Sequence, residues 1–294
     1  MRARAGALIA VTWLAAAAAA PAHDVAFWRA LAQDHYTPPR GSDVGALVDE
    51  LIGMLASPDP ELRDDIGYST LASWIYQQKI VDADRLRSIA SLLTSNLTRG
   101  IGERDTDSVF ARSFSALVLS VIVARDNADP FLDRDRWRQI ESAALAYLSA
   151  EQDLRGYDPK TGWMHSAAHT ADLLKFLGRS RHLEIGGQCR YVDAIADKLT
   201  TASVVFTHGE DERLARAVLS LTARTDFDEP QFEAALQRIK VAVPEHPTAA
   251  QLRAAQNWKN MLAKLEVLLS NDAQRADAAT AARSAIRAAL KPLF

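Results

Sequence analysis

Cysteine is almost missing from this chain. Cys189 is the single thiol in 294 residues, so no disulfide can close within the molecule and the core alone must hold the fold. Roughly 270 residues bury enough apolar surface to do that. A basic excess is missing too. The formal net charge is −3, and mild acidity argues against nucleic-acid binding, which draws on a basic patch. Long apolar runs are expected only at the N-terminus. Residues 5–20 are almost all small or apolar, with Arg2 and Arg4 before them and Ala20-Pro21-Ala22 at their end, the layout of a secretory signal. About 16 apolar residues fall short of the ~20 that a spanning helix needs. Residues 1–22 are therefore expected to be cleaved, leaving a single domain, 23–294, exported to a bacterial periplasm without stable membrane insertion. Losing Arg2 and Arg4 takes the net charge of −3 down by two, to −5.

Glycine is scarce, at 13 residues, while Ala and Leu abound and apolar side chains recur three and four apart from Val44 onward. That is the period of helices, and the chain reads as all-α. In Ser57-Pro58-Asp59-Pro60-Glu61, Asp59 suits an N-cap, Pro60 the first helical position and Glu61 the positive end of the helix dipole. Helices at 44–55 and 62–77 then form a hairpin around a Pro-Asp turn. Its pattern, from Leu51 through Asp59 and Arg63 to Ile66, Leu71 and Trp74, is that of a HEAT-type repeat. Looser echoes pair 82–97 with 107–124, 134–150 with 166–177, 188–201 with 211–223, and 230–241 with 248–269. Stacked pairs of this kind make an α-solenoid; an α/α toroid and a compact helical bundle are the alternatives. The 107–124 helix carries apolar residues around too wide an arc for a surface position, so it is expected inside. The Ala- and Arg-rich tail after Asn271 reads as an exposed capping helix.

The richest chemistry lies at 162–172, Gly-Trp-Met-His-Ser-Ala-Ala-His-Thr-Ala-Asp. On a helical wheel His165, His169 and Asp172 fall on one stripe. Two imidazoles at i and i+4 with a carboxylate at i+7 can ligate one divalent ion and leave a place for water. The residue after the first His is Ser166 rather than the Glu base of zinc proteases. The same three side chains can instead line a metal-free polar pocket, or sit at the core edge with Asp172 accepting a hydrogen bond from His169. Trp163 walls such a pocket or staples the helix start. Arg155, among Glu151 and Asp153, is a structural lock or an anion clamp. Acids at Glu210, Asp211 and Glu212 suit a helix N-terminus, as does the segment around Asp105, Thr106 and Asp107, with Thr106 or Asp105 as cap. These polar clusters, near 105, 155, 167 and 210, all fall in loops or first helical turns, and in a stacked array such ends can converge on one rim.

Phe27-Trp28, the 57–64 segment, Thr106-Asp107-Ser108-Val109-Phe110 with Arg112 to Leu117, Asp153-Leu154-Arg155-Gly156-Tyr157, the 162–172 stretch and Gly209-Glu210-Asp211-Glu212-Arg213-Leu214-Ala215 together resemble the bacterial domain-of-unknown-function family 2785. The resemblance spans about residues 25–225, with 226–294 as an extra helical segment. It implies an all-helical protein and brings no activity, cofactor or catalytic residue with it. Three functions fit the sequence. The first is a binding protein whose polar groove, lined by Trp163, His165, His169, Asp172, Arg155, Asp107 and Glu210, takes a small polar ligand or a peptide. The second is a hydrolase holding a divalent metal on His165, His169 and Asp172. The third is a plain protein-interaction scaffold. No cofactor is expected from the chain as a whole; zinc is the ion the His-His-Asp set would take.

Overall fold

The computed structural model describes residues 23–238, 244–271 and 280–291. The expected signal segment and the last residues of the helix expected to end at 241 lie outside that range. Among the described residues the chain is mostly helical: α1 (Val25–Gln33), α2 (Val44–Met54), α3 (61–77), α4 (Ala83–Asn96), α5 (Ser108–Ala128), α6 (Arg134–Ala150), α7 (Ser166–Gly178), α8 (Cys189–Thr201), α9 (Glu210–Thr222), α10 (Glu229–Arg238), α11 (Ala249–Ser270) and α12 (Thr280–Leu290). Between α6 and α7 lies a two-residue antiparallel hairpin, β1 (Tyr157–Asp158) paired with β2 (Gly162–Trp163).

Asp24, Asp43, Asp82, Asp133 and Thr248 cap their helices, each accepting from a first-turn backbone N–H. Each such cap satisfies a donor that the helix itself cannot. Asp59 also caps as expected, taking the Glu61 N–H at 2.9 Å. The start of α5 differs from expectation. Thr106 Oγ1 is bound up with Glu103 and Ser108, and Asp107 stands at the cap position without a side-chain bond to the helix.

α3 is not a regular α-helix: π-helical turns, Glu61–Tyr68 and Ser73–Gln77, flank the α-helical Ser69–Ala72. In a regular helix residues spaced four apart drift by about 40° per step. Wider i→i+5 turns counter that drift and hold Asp64, Tyr68, Ala72 and Tyr76 on one face.

From α3 onward the packing alternates. Helices α3, α5, α7, α9 and α11 contact one another in succession, and so do α4, α6, α8, α10 and α12, with α4–α5, α6–α7 and α8–α9 closing across the two rows. One expected pair re-sorts: α10 packs on α8 and α12, and α11 on α8, α9 and α12. The core between the rows holds Trp74, Trp137, Tyr191, Trp258 and a near-continuous set of Leu, Ile and Val, each contributing about 1.5–3 kcal/mol by leaving water. α5 lies inside, as its apolar arc predicts, and it also departs from the sequence expectation. It is long and apolar enough to cross a membrane by composition, yet 83% of its most apolar stretch is buried within the protein, and it carries Arg112 and Asp126 as buried charges.

Candidate functional site

One face of the α3–α5–α7–α9 row opens into a cavity of about 890 Å³. α3 contributes Asp64, Tyr68, Ala72 and Tyr76; α5 forms a mainly apolar floor with Leu117, Ser120, Val121 and Ala124. α7 supplies His169, Asp172, Lys175 and Phe176, α9 supplies Glu212, Arg213 and Arg216, and the loops before them bring Trp163, His165 and His208.

Of the residues singled out in the sequence, Trp163, His165, His169 and Asp172 line this cavity together. The helical wheel fails for His165, because α7 begins one residue later and His165 sits before it with φ at 49°. Its ring nevertheless meets that of His169 edge-on, 5.7 Å between centroids. Trp163 walls the site: its indole stacks on His165 at 4.2 Å, with Tyr157 beyond it at 4.8 Å.

Two glycines make this loop possible. Gly162 has φ at 71°, and a Cβ there would come within 2.8 Å of Pro60 Cβ. At Gly156 a Cβ would run into the His208 ring, 2.4 Å from Nδ1. Beneath the hairpin the fully buried Arg63 guanidinium donates to the carbonyls of Ser57 at 2.8 Å and Thr161 at 2.6 Å, and lies over the Phe110 ring at 4.0 Å. Arg63 thus fastens α3 to the hairpin that carries Trp163.

Hydrogen bonding fixes both imidazole tautomers. His165 Nε2 faces the His208 carbonyl oxygen at 2.9 Å, so that nitrogen carries the proton. His169 Nδ1 lies 2.8 Å from Ser113 Oγ, and the Ser113 hydroxyl donates to the Met164 carbonyl. With its only proton spent there, Ser113 accepts from Nδ1–H, which leaves His169 Nε2 as a lone-pair acceptor. Ser113 has no exposed surface, so this Ser–His contact is a positioning pair rather than a nucleophile with its base. Burial pushes the His169 pKa well below the ordinary histidine value, helped by His165 and Arg213. Burial also lowers His165, against the opposing pull of Glu210. Both shifts favour the neutral imidazole.

Asp172 does not pair with His169. It accepts from Lys175 Nζ at 3.0 Å and from Arg213. Among the described residues no three His, Cys, Asp or Glu side chains gather as a metal-ligand set. In particular, Asp172 is committed to two cations.

The other three predicted residues lie apart from the cavity. Arg155 is a lock: it grips Asp153 through Nε at 2.8 Å and NH2 at 2.6 Å and donates to the Thr106 carbonyl at 2.8 Å. Asp107 is exposed at the start of α5. Glu210 is buried, takes the His208 N–H at 2.8 Å and stands 3.9 Å from His165 Nε2. The four polar clusters still touch in sequence: Asp105 N–H donates to Asp153, Ser166 Oγ donates to the Asp153 carbonyl, and His165 reaches His208. They form one edge, and only the clusters at 167 and 210 open on the cavity.

Asp64, Tyr68, His208, Arg213 and Arg216 were not singled out as site residues from the sequence. Asp64 and Arg213 fall inside motif segments, but nothing in either segment tells that α3 and α9 face each other. Burial raises the Asp64 pKa, with Asp65 adding to the rise and Arg63 and Arg213 opposing it. Tyr68 is raised by burial and then by the charge of Asp172.

No curated protein and no solved structure matches the chain. A family model does match, over residues 97–268, which takes in α5 to α10 and most of α11 and reaches past residue 225. That is more than half of the 294 residues, and the chain belongs to the family described as protein of unknown function, DUF2785.

Proposed function

We propose that this protein is an exported helical-repeat binding protein whose groove, on the inner face of a HEAT-like solenoid, takes a small polar ligand or a peptide. The solenoid reading is supported by the alternating contacts, in which each helix from α3 packs on the next but one, as in stacked helical pairs. One observation carries the ligand reading: a cavity of about 890 Å³ collects polar and aromatic side chains from four helices and two loops. Its size falls within the ~300–1,000 Å³ of small-molecule sites, and its mix of apolar floor and few oriented polar groups is theirs too. The signal-like N-terminus supports export.

The test is thermal unfolding of the full chain against a library of polar metabolites and short peptides, with Trp163→Ala in parallel. A ligand at 100 times its Kd adds about 2.7 kcal/mol, which for a domain of this size raises Tm by roughly 5–10 °C. At least one compound class is expected to stabilise the wild type and to lose most of that effect in Trp163→Ala. A library in which nothing shifts the wild type, or shifts both proteins equally, overturns the groove as a ligand site.

A further inference from the structure

We propose, building on the groove as a ligand site, that its ligand is a zwitterion of the amino-acid or short-peptide class. The ammonium sits against Asp64 and Tyr68, the carboxylate sits against Arg213, and an apolar body lies on the α5 floor. The groove's charges are unevenly satisfied. Asp172 holds Lys175 and Arg213, and Glu212 holds Arg216 through both Nε and NH2. Asp64 is different: it is partly buried, lines the cavity, and among the described residues no hydrogen bond or ion pair reaches its carboxylate. A partly desolvated carboxylate without a donor is an unmet demand for a cation or an N–H. That burial raises its pKa is the same demand seen from the proton's side.

Arg213 spends one nitrogen, NH1, on Asp172, and a guanidinium has five donors in a planar fork. It can take a second carboxylate without giving up the first. Asp64 and Arg213 stand on the first and last of the four lining helices and line the same cavity, and the Arg213 charge opposes the rise of the Asp64 pKa. An extended chain covers about 3.5 Å per residue, and a cavity of about 890 Å³ has room for a ligand of about one to three residues. A simple anion fits less well, because Asp64 repels it. A simple cation leaves the free Arg213 donors unanswered. On α5, Leu117, Val121 and Ala124 offer apolar contact and the Ser120 hydroxyl is spent on the Leu117 carbonyl, while the lone pair on His169 Nε2 is available to a backbone N–H.

The test is calorimetric titration of the full chain with trileucine bearing free termini, with its N-acetylated form and with its C-amidated form, for wild type and Asp64→Asn. Free trileucine is expected to bind wild type, and capping either end to weaken it at least tenfold. In Asp64→Asn the free and acetylated peptides are expected to bind alike. Equal binding of free and acetylated peptide to wild type overturns the proposal, and so does discrimination that survives in Asp64→Asn. If no peptide binds wild type while another polar compound from the library does, the zwitterion assignment fails and the groove survives. If nothing binds at all, both fail.

Discussion

Replacing Arg112 by Met removes the most heavily bonded charge in the core. The fully buried guanidinium meets Glu151 through Nε at 2.6 Å and NH2 at 3.2 Å, and its NH1 donates to the carbonyls of Arg99 at 2.9 Å and Gly100 at 3.0 Å and to Ser108 Oγ at 2.9 Å. Removing one partner of a buried pair costs about 3–5 kcal/mol, because the survivor keeps its desolvation penalty. The Glu151 carboxylate retains two backbone donors, from Gln152 at 2.8 Å and Asp153 at 2.9 Å, which holds the loss down. The orphaned carbonyls add about 1 kcal/mol between them, being partly reachable by water. A net cost of about 4 kcal/mol follows, a large share of the ~5–15 kcal/mol that keeps a domain folded. The double variant Arg112→Met/Glu151→Gln removes the unpaired carboxylate and keeps an acceptor for both backbone donors, while the neighbouring buried Lys198 keeps its bond to the residue-151 carbonyl. It is expected to recover about 2 kcal/mol relative to Arg112→Met alone. Urea unfolding of wild type, both single variants and the double variant measures this, with the slope m unchanged. A double variant no more stable than Arg112→Met would refute the charge argument and leave only packing.

The remaining predictions follow from the groove's titratable groups. Asp64→Asn is expected to stabilise the protein at pH 7, because burial holds the folded carboxyl pKa above its unfolded value and ionisation therefore favours unfolding. The gain is about 1.4 kcal/mol for each tenfold difference in proton affinity, and it should vanish as pH falls below the ordinary aspartate pKa of ~3.9; denaturant melts at pH 7 and pH 3 check it, and an Asn variant less stable at pH 7 counts against an unpaired carboxylate. For His169 the sign is opposite in pH. Its folded pKa lies well below the ordinary 6.5, so the unfolded chain takes up a proton that the folded one refuses, and stability declines as pH drops through about 6.5. His169→Gln, which keeps a polar group near the Nε2 position, should flatten that decline between pH 7 and 5; an unaltered slope would place the titration elsewhere.

Much of the fold could be read from pattern alone, because helical period and capping are local. Asp59 announces its helix, and α6 runs from Arg134 to Ala150 as expected. Where distant contacts decide, the sequence falls silent. The π-helical turns of α3 leave no spacing signature, and without them Asp64, Tyr68, Ala72 and Tyr76 would not share a face. His165 falls outside α7 because its αL backbone turns the chain, a conformation that the i, i+4 spacing to His169 hides. Trp163, His165, His169 and Asp172 were found because they cluster within ten residues. Their partners Asp64 and Arg213 were missed because the cleft is assembled from helices about 150 residues apart in the chain. Arg155 looked like an anion clamp or a lock, and the choice was made by Asp153 and the Thr106 carbonyl, which engage its Nε and NH2.

The central claim is that the cleft between α3 and α9 is where this protein meets its ligand. A crystal structure of the full chain grown with the most strongly stabilising compound tests it most directly. The account requires electron density for that compound between Asp64 and Arg213, beside Trp163 and His169. A compound that stabilises the protein yet lies elsewhere, with the cleft filled only by water, would contradict it.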